Sequence, residues 1–485
     1  MSGFKSATIR GAWWISGMRV FRILVSLVTL SILSRFLSAE EFGIAGLIIV
    51  VTGLAQVIGD VGTRLALVQK AEITPLEIDS VFWMNLTIGL ALTGLTIAFA
   101  APIAGLFDTP AMAEPLRWAS SVFLITAIQG VPNSLLERGM RFRELALGEA
   151  AGTAAGAITA IILVLLGFQL GALIAQLIMF SLFACLMVNL QARWRPRLRF
   201  SFGALTPMLG FGAWASFASL ITFIGANAER PILAAALSTA ALGYFTLAAQ
   251  IVQTPLRTIV QVVRTLTLPV FARMQDDPER ARRAYLNVCH ALMVVMSPIC
   301  FGLIAVAGDA TTLFLGQDKG AVVPLVMILS LRALIGTLTD IHGSILTAWG
   351  RMRFQFGWAL ASTVVTIGVL WGVAPRGLEA AVLALLVLTA LMVPVFAFPV
   401  LRRLDLLNSR LPRTIAPPLI SGAIMCLAVR EAAVRVPMSP APGLLTGVIL
   451  GGTVYVLCQL LLDRSRCMEL FRAVARRRSK VAVPA

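Results

Sequence analysis

Residues 32–47 read ILSRFLSAEEFGIAGL, and residues 232–247 read ILAAALSTAALGYFTL. At that fixed offset Ile32, Leu33, Leu37, Ser38, Gly43 and Leu47 meet Ile232, Leu233, Leu237, Ser238, Gly243 and Leu247. Gly-Ala-Trp at 11–13 returns at 212–214, and Met-Arg-Phe at 140–142 returns at 352–354. An apolar chain produces single matches by chance. Three in the same order, at offsets of 200, 201 and 212, indicate a duplicated half. In a membrane chain, duplicated halves imply a transport site between them.

The rest of the chain fits a membrane. Of 485 residues, 58% are hydrophobic and only 13% charged, with a mean hydropathy of +0.89; a soluble chain carries about a quarter charged residues. Hydrocarbon offers backbone amides no partner, so about twenty apolar residues cross it as a helix. Fourteen stretches qualify: 11–37, 42–67, 80–107, 116–136, 145–167, 171–191, 204–227, 240–268, 284–307, 321–348, 354–374, 378–401, 412–430 and 442–462. With the N-terminus inside, the inner gaps and tail hold 27 of the 40 Lys and Arg residues, and the outer gaps hold five. That bias predicts both termini on the cytoplasmic side.

The expected fold is therefore an all-α polytopic membrane protein of about fourteen transmembrane helices. Spans 1–6 (residues 1–200) and 7–12 (201–405) form two six-helix lobes. Six spans per repeat place the lobes in one orientation, related by a pseudo-two-fold axis along the membrane normal. Two additional spans (406–463) and a basic tail (464–485) complete the chain.

Composition also excludes several functions. The net charge of +17 is scattered through short gaps, which suits membrane lipid headgroups and not nucleic acid. Cys185, Cys289, Cys300, Cys426, Cys458 and Cys467 form no CxxC pair, and the only histidines are His290 and His342. No metal or other cofactor site is expected. The outer gaps are too short for the catalytic loop of a glycan-assembly enzyme, and no carboxylate or His/Asp constellation appears. The cluster from Arg193 to Arg199 reads as an orientation signal and headgroup anchor. Contact with polysaccharide assembly enzymes is its other reading.

Ser34-Arg35-Phe36-Leu37 followed by Glu40-Glu41-Phe42-Gly43 resembles the first-loop signature of bacterial polysaccharide flippases. That family belongs to the multidrug/oligosaccharidyl-lipid/polysaccharide exporter superfamily. Gly59-Asp60-Val61-Gly62, Glu229-Arg230 before Leu242-Gly243-Tyr244, and the run from Leu268 to Asp277 are similar to the same group. Glu229 stands where the family more often has Asp, Pro231 follows Arg230, and 234–238 lack the usual glycines. The resemblance covers roughly residues 1–405. It implies a two-lobed helical transporter that moves undecaprenyl-diphosphate-linked oligosaccharide from the inner to the outer leaflet.

Polar residues inside the spans point to the same cargo. Ser16, Arg19, Arg22, Ser26 and Thr29 share one face of span 1, and Gln250, Gln253, Arg257, Gln261 and Arg264 one face of span 8. Arg332 and Asp340 lie on one broad face of span 10. Arg22, Arg257 and Arg332 fall near mid-span, where a charge costs roughly 2.5–3.5 kcal/mol on insertion scales. A water-filled cavity between the lobes would accommodate them. Arginine suits a diphosphate because its planar fork donates two hydrogen bonds and keeps its charge. Arg22, Arg257 and Arg332 are thus the expected diphosphate ligands, with Arg19 and Arg264 on the entry path and Gln253 and Gln261 beside them. The competing reading is that these arginines snorkel to a surface or pair with acids. Asp60 and Asp340 are candidates for ion coupling, or simply balance arginines. A peptidoglycan-precursor flippase stays open as an alternative. A cation-coupled drug exporter would be expected to line its cavity with acids instead.

Overall fold

Ser38 and Ser238, matched by the repeat, both cap helices. Ser38 Oγ accepts from the Glu41 amide at 3.2 Å, while Glu41 Oε2 accepts from the Ser38 amide at 2.8 Å. Together these form a capping box. Ser238 Oγ accepts from the Ala241 amide at 3.1 Å; the box is half-built there because position 241 is alanine.

The computed structural model describes residues 2–60, 62–70, 72–274, 277–406, 410–436 and 439–464. Side chains are described except at 2–16, 19, 65, 69, 207–215, 257, 258, 261, 262, 264–266, 268 and 269. The helices are α1 (Ser2–Phe36), α2 (Ala39–Asp60), α3 (Thr63–Gln69), α4 (Pro75–Gly105), α5 (Ala113–Ala119) and α6 (Ser121–Arg138). Next come α7 (Phe142–Leu165), α8 (Gln169–Ala192), α9 (Phe202–Asn227), α10 (Glu229–Ala236), α11 (Thr239–Ala272) and α12 (Pro278–Ala305). The last are α13 (Ala307–Leu315), α14 (Val322–Ala348), α15 (Met352–Val373), α16 (Leu378–Arg403), α17 (Arg410–Arg435) and α18 (Pro440–Leu462).

Among the described residues eleven helical segments are long and apolar enough to cross a membrane. The three other long helices, α1, α9 and α11, cover the residues expected for spans 1, 7 and 8. This is a multi-pass, all-α membrane protein. Helices run unbroken through Pro132, Pro255, Pro298 and Pro394. One expectation needs correcting: the continuous span over 42–67 is two helices. α2 stops at Asp60, Gly62 turns the chain at φ 66°, and α3 starts at Thr63. Only glycine takes that left-handed turn without strain.

The chain divides into two compact units. The first comprises residues 1–247, 314–316 and 356–381. Within it the repeated segments meet each other. A Cβ on Gly43 would overlap the Thr239 carbonyl, and one on Gly243 would overlap the Ala39 carbonyl. Since 239 and 243 are the repeat equivalents of 39 and 43, the contact is reciprocal, as a local two-fold requires. Gly46 faces Thr246, again its own equivalent. Leu33 and Leu233, and Leu47 and Leu247, are all buried.

The basic segment before α9 is docked onto α4. Asp79 Oδ1 accepts from the Arg197 amide at 3.2 Å, Ser80 Oγ from the Ser201 amide at 3.0 Å, and Trp83 Nε1 donates to the Arg197 carbonyl at 2.8 Å. Trp194 meets Phe82 edge-on at 5.4 Å. This core also holds Ala66, Leu67, Val131 and Leu205, tying α3, α6 and α9 to the linker. Arg138 closes the end of α3 by donating to the Leu67 carbonyl at 3.2 Å and to the Lys70 carbonyl.

The second unit comprises residues 248–313, 317–355 and 382–485. Its last two helices pack on α12 through polar contacts buried with the apolar ones. Pro418 has no amide hydrogen, so the Thr414 carbonyl four residues earlier lacks its helical donor. His290 Nδ1 stands 3.1 Å from that carbonyl and supplies the proton as the Nδ1–H tautomer. Ser297 Oγ donates to the Pro418 carbonyl at 2.7 Å, and Tyr455 Oη to the Val294 carbonyl at 2.9 Å. A Cβ on Gly422 would strike Ser297 and Phe301. His290→Leu is expected to lower stability by about 1–3 kcal/mol, the penalty for an orphaned buried acceptor. Thermal unfolding of the detergent-solubilised protein measures it; an unchanged midpoint would deny His290 this role. His342 is likewise structural, buried with its Nε2 2.7 Å from Tyr285 Oη.

Candidate functional site

The predicted arginines divide into those the structure describes and those it does not. Arg19, Arg257, Gln261 and Arg264 have side chains outside the described residues. Arg22, on α1, forms an ion pair through Nη1 with Glu149 on α7. The two side chains are 38% and 59% exposed, so the pair is open and not sealed in the core. The counter-ion escaped sequence analysis because it lies 127 residues away. Arg332 lies near the middle of α14, and its Nε donates to Thr389 Oγ1 of α16 at 3.2 Å. The Thr389 hydroxyl proton goes to the Leu385 carbonyl at 2.7 Å, leaving its lone pair for the guanidinium. Gln253 and Asp340 are half-buried on α11 and α14.

Asp60 is the last residue of α2, and it lines a cavity of about 510 Å³ within the first unit. Helices α2, α4, α6 and α9 supply the walls. Two glycines let those walls close. A Cβ on Gly53 would come within 2.8 Å of the Phe223 ring, and one on Gly89 within 3.0 Å of the Phe123 carbonyl. At one end Arg64 grips Glu137 with both carboxylate oxygens engaged, its Nε donating to Oε2 at 3.2 Å. The Arg64 amide approaches Asp60 Oδ1 at 3.5 Å. The Thr63 hydroxyl lies 2.9 Å from the Asp60 carbonyl and 3.2 Å from Asn85 Oδ1.

Neutral polar groups line the remainder: Gln56, Asn85, Gln129, Asn133, Ser216 and Ser219. Sequence analysis followed charges and passed over these. The signal was nevertheless present. Gln56 and Asp60, and Gln129 and Asn133, are each four residues apart, so each pair shares a helix face within an apolar run. Among the described residues no group of His, Cys, Asp and Glu side chains could hold a metal ion.

The fold is shared with solved transporters. A lipid II flippase, MurJ, in an inward closed conformation superposes with a TM-score of 0.77 at 15% identity, covering 93% of this chain and 99% of that one. An inward-facing multidrug resistance MATE family transporter gives a TM-score of 0.62 at 17% identity, over 80% and 95% of the respective chains. In sequence, the chain is 28% identical to the succinoglycan biosynthesis transport protein ExoT of Rhizobium meliloti, over 94% of this chain and 93% of the relative. It is 24% identical to the lipopolysaccharide biosynthesis protein WzxC of Escherichia coli (75% and 74%), and 26% identical to the teichuronic acid biosynthesis protein TuaB of Bacillus subtilis (74% and 74%). The family model described as "Polysaccharide biosynthesis protein" matches residues 32–324, more than half of the sequence. Duplicated segments, capped and crossed at repeat-matched glycines, thus lie in a chain that belongs to this polysaccharide biosynthesis family.

Proposed function

We propose that the protein is a flippase that carries lipid-linked oligosaccharide from the inner to the outer leaflet of a bacterial cytoplasmic membrane. The cargo would be anchored through undecaprenyl diphosphate, and both termini would face the cytoplasm. The work is transport, and no bond is made or broken. The observation that carries this reading is Arg332, a permanent cation near the centre of a 27-residue apolar helix. Such a charge is retained in hydrocarbon only for a partner or a pathway. A guanidinium donates two-toothed hydrogen bonds to a diphosphate in transit. Arg22, Arg257, Arg19 and Arg264 would serve the same anion, with Gln253 and Gln261 bonding sugar hydroxyls. Asp340 and Asp60 are candidates to couple an ion to the cycle.

A strain lacking the chain should accumulate lipid-linked glycan on the inner leaflet. Arg332→Gln keeps length and loses charge. It should reduce exported polysaccharide roughly 10- to 100-fold, on the scale of a lost charge-assisted hydrogen bond, at normal membrane levels of the protein. Full export by Arg22→Gln, Arg257→Gln and Arg332→Gln alike would refute the diphosphate site.

A further inference from the structure

The cavity in the first unit has a chemistry unlike that of the arginines. Its lining carries one carboxylate, Asp60, and one guanidinium, Arg64, whose charge is already engaged by Glu137 outside the lining. An anion such as diphosphate is therefore disfavoured there. Among the described residues Gln56, Gln129 and Asn133 make no side-chain hydrogen bond, and the buried Ser216 Oγ meets no partner. Each amide offers two donors and an acceptor oxygen with two lone pairs. Unspent amide groups inside a membrane protein need a polar occupant, since an unsatisfied group there is unfavourable. Phe123 and Phe223 add apolar surface to the same wall. Its volume lies in the range of small-ligand pockets, with room for a few sugar units and none for a polymer.

We infer that this cavity is a glycan compartment: it binds neutral sugar residues of the cargo through Gln56, Asn85, Gln129 and Asn133, apart from the groups that hold the diphosphate. Sugar hydroxyls both donate and accept, as the amides do, and the C–H faces of a pyranose ring match the phenylalanines. The inference rests on the flippase reading and adds to it a division of labour. The cavity's amides read the sugar units that Gln253 and Gln261, beside the arginines, do not reach, and arginines read the anion common to all such lipids. It also sets a preference, since a uronic acid would meet the Asp60 carboxylate.

The test uses purified full-length protein and two probes. One is the oligosaccharide released by mild acid from the lipid-linked material that the deletion strain accumulates. The other is polyprenyl diphosphate bearing no sugar. Gln56→Met and Asn133→Leu, alone and combined, keep side-chain volume, and unfolding curves confirm that each variant is folded. Titration calorimetry should show the oligosaccharide binding the wild type, with affinity at least tenfold weaker in the double variant. Binding of polyprenyl diphosphate should stay within twofold. Equal oligosaccharide affinity in wild type and variants, or no binding by the wild type, would overturn the compartment while leaving the flippase reading intact. A deletion strain that accumulates no lipid-linked glycan would instead sink the flippase reading, and the compartment with it.

Discussion

Gly243→Ala should deplete folded protein from the membrane, although it adds a single methyl group. The new Cβ would sit inside the Ala39 carbonyl, and no side-chain rotation relieves a clash with backbone. Overpacking ordinarily costs about 1–3 kcal/mol, sometimes more. Here the helices themselves must separate, so about 3 kcal/mol or more is expected. Against a total stability of about 5–15 kcal/mol, that loss lowers steady-state abundance several-fold. Gly43→Ala should match it, because Gly43 meets the Thr239 carbonyl in the mirrored half of the contact. Two further alanines act as internal controls. At Gly46 the new atom would lie 3.0 Å from Thr246 Oγ1, a hydroxyl free to rotate, so the effect should be mild. At Gly94 nothing lies within 4 Å, and alanine should be neutral or stabilise by up to about 1 kcal/mol. Thermal unfolding of the four detergent-solubilised variants decides the matter. Equal midpoints for Gly43→Ala, Gly243→Ala and Gly94→Ala would mean that α2 and α11 do not cross at these glycines.

The same pair shows what a sequence can reveal. Repetition at a fixed offset exposes Ser38 and Ser238 as equivalent, and Gly43 and Gly243 likewise. Periodicity cannot say that equivalent positions touch. Helical spans were legible because hydrocarbon leaves the backbone no alternative. The break after Asp60 was not, because Leu65, Ala66 and Leu67 continue the apolar run past Gly62. His290 was unremarkable in the sequence, since its task depends on Pro418 freeing a carbonyl more than a hundred residues away. The cavity stayed hidden for a related reason. Its amides come from helices far apart along the chain, and although Gln129 and Asn133 share a helix face, nothing in the sequence says that this face meets Gln56 and Asn85. The arginines drew attention only because a charge in a span is rare.

Neutralising Arg22 and Glu149 together should yield a protein that inserts and folds like the wild type yet exports roughly 10- to 100-fold less polysaccharide. The single variants confound two effects. Arg22→Gln leaves Glu149 without its cation, and Glu149→Gln leaves Arg22 without its anion. The double variant Arg22→Gln/Glu149→Gln removes both charges and lets two amides bond each other, so stability should change by less than about 1 kcal/mol, the usual worth of an exposed pair. Any export deficit then reports on the positive charge itself. The expected deficit follows from a charge-assisted hydrogen bond to phosphate, about 1.5–3 kcal/mol, at 1.4 kcal/mol per tenfold. Glu149→Gln alone gives the opposite sign of information: with the guanidinium released from its partner, export should hold or rise. Should the double variant export as well as the wild type, Arg22 serves only as the counter-ion of Glu149. The diphosphate would then fall to Arg332 and the arginines of α11.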